Sequence, residues 1–505
     1  MFKSFLILPF FTILSLSFLT AQENLLPQCG ITHEDIDMIT KRLLENKAAL
    51  KTNGFVQLRD VIYVPVKFHV VAKNDGTEAA TLRNLLDQVC QLNEDFEPVG
   101  LQFYIKDGFN FVNNTNIFER HSTYENQMQT FRDSKAINVW IVENANYGQP
   151  LEDAVTLGYY RPSRDWLVIR KSETKKNSFV LSHEMGHFFD LLHTFNGWDA
   201  ENWQLNVHGN PAPASSPAGV PTERQDGFNC DEAGDYLCDT RPDYNLGFGW
   251  SGCNYTGGAQ DPTGKVIDPD ERNFMGYFQD CSPYTFSEGQ KSLMLIDYNK
   301  AYRNYIRTNF TPVATQINTA PQLIAPASGV TIAGDVTFEW EAVPGATMYL
   351  LEIDRLSSFS IKPIMMLVEG TSQVVDVLEP NKTYHWRVRP INEYYTCSAP
   401  SASKSFKTSS TTAVSDLDFV SNWSVNPNPA SQDAALTLAF NANESFEAHV
   451  TLWSIAGQMV KQYGKRRFVT GQNEFQLPTD ALSKGMYVLM LQTEQGKLVE
   501  KIIIQ

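Results

Sequence analysis

Residues 183–193 read His-Glu-Met-Gly-His-Phe-Phe-Asp-Leu-Leu-His. On a helix, His183 and His187 leave the same face, so both imidazoles can reach one tetrahedral ion with Glu184 beside them. Paired neutral nitrogens next to a carboxylate that can take a proton from water are the parts of zinc-dependent peptide hydrolysis. His193 adds a constraint. A continuing helix turns about 100° per residue and would point it away from the other two, so the helix must stop near Asp190. The stop requires a residue that tolerates the left-handed region, usually Gly, with Asn and Asp next. Three neutral histidines then leave a fourth zinc position for water, and Glu184 is the base that accepts its proton.

These groups need a scaffold, and the chain upstream has the pattern for one. Residues 61–71 are apolar and β-branched, residues 81–96 have helical spacing, and residues 137–142, 155–160 and 166–169 read as strands. Strand, helix, strands and then the zinc helix describe an α/β layered catalytic domain, placed at residues 59–311. Residues 194–226 form a Pro/Gly/Ala/Ser-rich insertion, least regular at 210–221 and expected to rim the cleft. Ahead of the domain, residues 22–58 are polar with one amphipathic stretch at 34–50, and read as a propeptide outside the core. Residues 1–21 carry Lys3, an apolar run through Leu19 and a small residue at Ala21, the pattern of a secretory signal peptide. Beyond residue 311, residues 320–410 and 418–505 alternate apolar and polar residues between turn signals, as β-sandwiches do.

Composition excludes other classes. The 505 residues carry a net charge of −16, from 57 acidic and 41 basic side chains, with no Lys/Arg run that could track phosphates, so nucleic-acid binding is not expected. No later segment offers about 18 uninterrupted apolar residues, so no transmembrane span is expected. Export permits disulfides. Of the seven cysteines, Cys230, Cys238, Cys253 and Cys281 allow three pairings, while Cys29, Cys90 and Cys397 remain and the odd total leaves at least one thiol unpaired. Cys29, followed by Gly30, is the candidate zymogen switch. A thiolate is a strong zinc ligand that can fill the fourth position, and Gly30 would let the backbone approach the metal. A disulfide to Cys90 or Cys397, or an acylated cysteine, is the competing reading. Activation would cut between Lys47 and Asp60, with Arg59 a trypsin-like point.

With Asn273-Phe-Met275-Gly-Tyr277 following the histidines, the chain resembles the metzincin zinc metalloproteases, though with Asp190 where that family has Gly. Residues 234–242 and 286–294 are most similar to the pappalysin branch, including its bacterial secreted, cytophagalysin members; the resemblance covers residues 60–310. It implies that Met275 underlies the zinc site without ligating it and that Tyr277 approaches the metal as an oxyanion donor. It also favours Cys253 with Cys281, leaving Cys230 with Cys238. Calcium is implied near the acidic run 226–243, with Asp231, Asp235 and Asp239 as oxygen ligands. Cysteine-switch propeptides occur in the same family. Phe338-Glu-Trp340, residues 349–353 and residues 384–388 resemble a fibronectin type III sandwich, read as a spacer. Ser424-Val-Asn-Pro427-Asn-Pro429, residues 452–457, Leu482-Ser-Lys-Gly485-Met-Tyr487 and the terminal Lys501-Ile-Ile-Ile-Gln505 look like the C-terminal sorting domain of type IX secretion cargo. That implies a bacterial outer-membrane route to the cell surface or medium, with the secretion machinery as a partner.

The expectation is a multidomain chain: an α/β (α+β) metzincin catalytic domain followed by two all-β sandwich domains. Its function would be that of a secreted zinc endopeptidase, made as a zymogen, whose protein or peptide substrate adds as an antiparallel strand at residues 155–160. The alternatives are a cell-surface binding protein or adhesin with an inactive zinc domain, and a zinc hydrolase of non-protein amides.

Overall fold

The computed structural model describes residues 26–54, 60–147, 154–409, 417, 419–432, 434–454, 459–480, 482–493 and 495–505. The expected signal peptide and Arg59 lie outside this set. The first elements are strand β1 (Leu26–Cys29) and helix α1 (His33–Asn53). Then come β2 (Ile62–Ala72), α2 (Leu82–Phe96), β3 (Leu101–Ile105), β4 (Asn110–Asn113) and the short helices α3 (Thr115–Arg120) and α4 (Glu125–Met128). Strands β5 (Ile137–Val142), β6 (Ala154–Arg161) and β7 (Trp166–Arg170) lead to helix α5 (Val180–Phe188). The short α6 (Leu205–His208) is the one helix within residues 194–226, and α7 (Glu288–Tyr298) closes the region.

Seven strands form one sheet in the order β1-β6-β7-β5-β2-β3, with β4 also beside β2. Only β6 and β7 pair antiparallel. Side chains alternate between faces with period two. On β5, Ile137, Val139 and Ile141 enter the cluster beneath α2, α5 and α7, while Trp140 and Val142 enter the cluster on the opposite face. Both faces of β5 are therefore dry, which is why its sequence is almost wholly apolar. Thr81 caps α2 by accepting from Asn84 N, and Ser287 forms a capping box with Gln290 on α7.

Residues 195–281 carry little regular structure and have a small core of their own, with Trp198, Tyr244 and Phe278 at its centre. Disulfides Cys230–Cys238 and Cys253–Cys281 close loops within this region. A third disulfide, Cys90–Cys397, leaves Cys29 as the free cysteine.

Two expectations need correction. Helix α1 is not outside the core: Ile39 and Leu43, one turn apart, are 0% and 1% exposed and belong to the main cluster. The helix is polar overall, so its buried stripe is narrow enough to escape a reading by composition. Nor is the first sandwich a free spacer. Its three- and five-stranded sheets pack around Phe338, Trp340 and Trp386, but Leu350 and Ile391 join the core of the α/β region. Arg389 Nη1 lies 2.6 Å from Asp87, Thr396 Oγ1 donates to Leu86 O at 2.9 Å, and the Cys90–Cys397 bond ties the sandwich to α2. The final sandwich, of three and four strands, has its own core. It meets the preceding one through Lys497, whose Nζ is 3.1 Å from Asp335 and 2.9 Å from Asp376.

Replacing Cys90 and Cys397 by serine removes a cross-link that closes a loop of sequence separation 307. The expected cost is about 2–4 kcal/mol in denaturant unfolding. A loss below about 1 kcal/mol would show that the noncovalent contacts, apolar and polar, suffice to hold the sandwich in place.

Candidate metal centre

Helix α5 is buried along its whole length, and how it ends decides where His193 goes. Leu191 N donates to Gly186 O at 3.0 Å and Asp190 N donates to His187 O at 3.0 Å. These are the two bonds of a Schellman ending, and Asp190 occupies its left-handed position at φ 63°. A non-glycine residue there costs about 1–3 kcal/mol. The turn folds the chain back, and His193 Nε2 comes to 3.2 Å from His183 Nε2 and 3.1 Å from His187 Nε2.

The other ring nitrogens are all committed. His183 Nδ1 donates to Phe274 O at 2.6 Å, His187 Nδ1 to Leu191 O at 2.7 Å and His193 Nδ1 to Asp199 Oδ1 at 2.6 Å. With each proton held on Nδ1, three Nε2 lone pairs face one point. Burial, together with the neighbouring His193, pushes His183 down to about 3, and burial drives His187 well below the usual range. His183 and His187 therefore stay neutral and cannot relieve the repulsion by protonating. Donors about 2.0–2.1 Å from one tetrahedral zinc ion stand about 3.3 Å apart, close to the observed spacings. A cation with zinc's preference for imidazole fits this donor set. The Sγ of Cys29 joins it: one ligand atom from each of Cys29, His183, His187 and His193 lies within 4.8 Å of all the others.

Glu184 flanks this point. Its Oε2 accepts from Cys29 Sγ at 3.5 Å, and burial pushes its carboxyl up to about 8. Burial, and then the Glu184 charge, likewise push the Cys29 thiol up; a cation at the shared point would act in the opposite direction. Tyr277 OH accepts from Cys29 N at 2.8 Å. Beneath the histidines, Met275 is fully buried, and its sulfur packs where a side chain at Gly186 would lie, 2.5 Å from an ideal Cβ. This contact explains the glycine of the motif. Asn273 positions the turn by accepting from Met275 N at 2.9 Å and exchanging amide bonds with Gln290. Leu157, Phe179, Val180 and Gln279 complete a small hollow beside Glu184 and Tyr277.

Cys29 arrives on β1, which runs parallel to β6 at the sheet edge with Leu26 opposite Ala154 and Cys29 opposite Gly158. Gly30 N donates to Gly158 O at 2.8 Å, and an ideal Cβ at Gly30 would stand 2.6 Å from Thr156 Cγ2. The close approach that requires glycine is thus to β6 and not to the metal point.

The three carboxylates expected to bind calcium do not converge. Asp231 pairs with Lys47 at 2.9 Å and Lys51 at 3.0 Å. Asp239 accepts from Gly289 N at 2.6 Å, at the start of α7. Asp235 is buried and accepts from Leu237 N and Thr240 Oγ1 through Oδ1 alone, and its Oδ2 meets no donor among the described residues. Among the described residues, no group of three carboxylates lies close enough to share an ion. Acidic density in a sequence does not show which donors each carboxylate will meet.

Sequence reasoning also missed Asp199. It holds His193 through Oδ1 while Oδ2 accepts from Gly197 N at 2.8 Å. The tight turn Asn196-Gly-Trp-Asp199 directly after the third histidine was the available signal. His69 and His121, by contrast, are buried and bonded to Asn138 and Tyr159, away from this point.

Comparison with known proteins gives the following. Residues 424–505 match the family described as the secretion system C-terminal sorting domain, which marks this chain for export by type IX secretion. Over 287 residues the chain is 27% identical to an extracellular metalloprotease of Neurospora crassa, spanning 53% of this chain and 85% of that protein. It is 27% identical over 285 residues to one of Sordaria macrospora, covering 53% and 85%. Extracellular metalloprotease 1 of Coccidioides posadasii is 25% identical over 271 residues, covering 50% and 82%. Among solved structures, the chain is similar to the FN1-FN3 domains of chicken CNTN1, at 12% identity, 37% of this chain, 65% of that chain and a TM-score of 0.15. An Fn3-like protein from Clostridium thermocellum matches at 17% identity, covering 18% and 95%, with a TM-score of 0.15. At these scores the sandwich assignment rests on its own strand pairing. Among the described residues, no helix is long and apolar enough to cross a membrane.

Because His193 is the one ring oriented by a carboxylate, Asp199→Ala is expected to lower zinc affinity by about 10–100-fold, and Asp199→Asn by less. Competition titration against a chromogenic chelator reads this directly. Unchanged affinity in both variants would remove Asp199 from the site.

Proposed function

We propose that this chain is a secreted zinc-dependent endopeptidase, synthesised in a latent form that Cys29 holds silent. The observation that carries the reading is the meeting of three Nε2 lone pairs, the Glu184 carboxylate and the Cys29 thiol at one buried point. His183, His187 and His193 would hold the metal, with Met275 as the packed floor under them. Zinc, when bound, supplies Lewis acidity to water and to the scissile carbonyl.

The remaining steps belong to side chains. Glu184 Oε2 takes the proton of the attacking water as the new C–O bond forms. The same carboxyl returns that proton to the amine nitrogen as the C–N bond breaks. Its buried, water-poor setting favours such a shuttle. Tyr277 OH, released from Cys29 N, donates to the oxygen on which negative charge develops. The hollow beside Glu184 and Tyr277 receives a substrate side chain, with Leu157, Phe179 and Val180 as its apolar wall and Gln279 as a further polar group.

Latency follows from direction as well as ligation. The prosegment strand occupies the edge of β6 in the parallel sense, whereas a substrate on this edge would run antiparallel. A reversed chain presents its carbonyls in the opposite order, so β1 can fill the cleft without being aligned for cleavage. Removal of β1 opens both the β6 edge and the fourth position.

Glu184→Ala is expected to reduce cleavage of a protein substrate by about 10²–10⁴-fold while metal content is unchanged. A peptide-library digest run in parallel reports the bonds cut. Full cleavage by Glu184→Ala would remove this mechanism, and absence of cleavage by the matured wild type would favour a surface binding protein. Purified Cys29→Ala precursor should show activity before maturation, where wild type stays silent. Equal latency of the two would remove the switch.

A further inference from the structure

Asp190 does more than make a turn. Its side chain is 1% exposed and lies with Asp297 and Arg303, which are 0% and 1% exposed. Arg303 donates to Phe188 O at the end of α5, bonds Asp297 through Nε at 2.8 Å and reaches Asp165 through Nη1 at 2.8 Å. It is 3.9 Å from Asp190. Tyr302 OH bonds both Asp190 and Asp297. Three carboxylates thus share one central guanidinium, and Arg132 adds a weaker pairing to Asp165 at 3.5 Å. Asp190, at 3.9 Å, is the farthest of the three from that guanidinium and has a second cation beside it.

Helix α1 supplies it. Arg42 Nη1 lies 3.6 Å from Asp190 Oδ1, with its guanidinium 5.2 Å from the Tyr302 ring centre. Asn46 Nδ2 is 3.5 Å from both Asp190 Oδ2 and Asp297 Oδ1. Farther along, Lys47 and Lys51 bracket Asp231. Ile39 and Leu43 are buried on the same helix, so the contact joins an apolar stripe to matched charges.

We infer that the Asp190–Asp297–Tyr302 face, extended to Asp231, is a docking surface for a helix that presents Arg42, Asn46, Lys47 and Lys51 on one side, and that its occupant in the latent chain is α1. Asp190 stands where glycine would serve the turn better because its carboxylate anchors that helix. The inference rests on the reading of residues 22–58 as a removable prosegment and adds a second anchor to it. Cys29 holds one end at the metal point, while Arg42 and Asn46 hold the helix at the far end of α5. A severed prosegment therefore remains seated until α1 dissociates, so activity lags behind cleavage.

The test uses full-length Glu184→Ala protein, which cannot convert itself, and hydrogen–deuterium exchange of residues 33–53. Arg42→Ala and Asp190→Gly should each speed exchange of these amides by about 10-fold, and the double variant by no more than the larger single effect. Asp190→Gly suits the turn, so a gain in exchange confined to α1 is not general unfolding; α5 serves as the internal control. Lys47→Ala with Lys51→Ala should act in the same direction through Asp231. Unchanged exchange in Arg42→Ala and Asp190→Gly, or effects that multiply in the double variant, would overturn the surface. Cys29→Ala should loosen residues 26–29 and leave α1 protected; equal loosening of α1 would overturn the second anchor. A Cys29→Ala precursor with Glu184 intact that stays inactive would remove the cysteine switch, while coupled exchange would still support the docking surface.

Discussion

Nε2 lone pairs of three imidazoles directed at one point, with His193 3.1–3.2 Å from the other two, repel, and a buried site cannot dissipate that repulsion into water. A cation at their common point turns it into attraction, and much of the surrounding structure serves to keep the three rings from turning away. Two backbone carbonyls and the Asp199 carboxylate fix the Nδ1 protons. The left-handed turn at Asp190 sends His193 back toward the helix. Met275 fills the space that Gly186 leaves, and the Asn273–Gln290 amide pair holds the loop that carries Met275 and Tyr277. The seven-stranded sheet supplies a rigid base for α5 and an edge on which an extended chain can lie.

What is legible in the sequence depends on how local its cause is. The spacing of His183, His187 and His193 implies a helix that ends by Asp190, because only the 3.6-residue turn enters that argument. Strands at residues 137–142 and 166–170 are legible because apolar residues cover both faces. Burial of α1 is hidden because Ile39 and Leu43, four residues apart, sit in a charged helix, and only packing against α7 makes them core. The union of the sandwich with α2 depends on Cys90 meeting Cys397 across most of the chain. Asp231 and Asp239 mislead for the same reason: Lys47 and Gly289 are distant in sequence, yet they meet these carboxylates.

In the proposed latent arrangement one segment does several jobs. β1 extends the sheet, brings Cys29 to the metal point and occupies Tyr277, while α1 completes the core beside α7. Removing that segment exposes apolar surface and leaves the acids around Arg303 with less positive charge. In that proposal, stability and silence are linked through the same contacts. Export fits this design, since the three disulfides belong to an oxidising compartment and the sorting domain marks the route outward.

X-ray absorption at the zinc edge of the full-length precursor tests the central claim most directly. The account predicts one zinc per chain in a shell of three nitrogens and one sulfur, with a zinc–sulfur distance of about 2.3 Å, and loss of the sulfur in Cys29→Ala with the nitrogens retained. A shell without sulfur in the wild-type precursor, or fewer than three imidazole nitrogens, would contradict it.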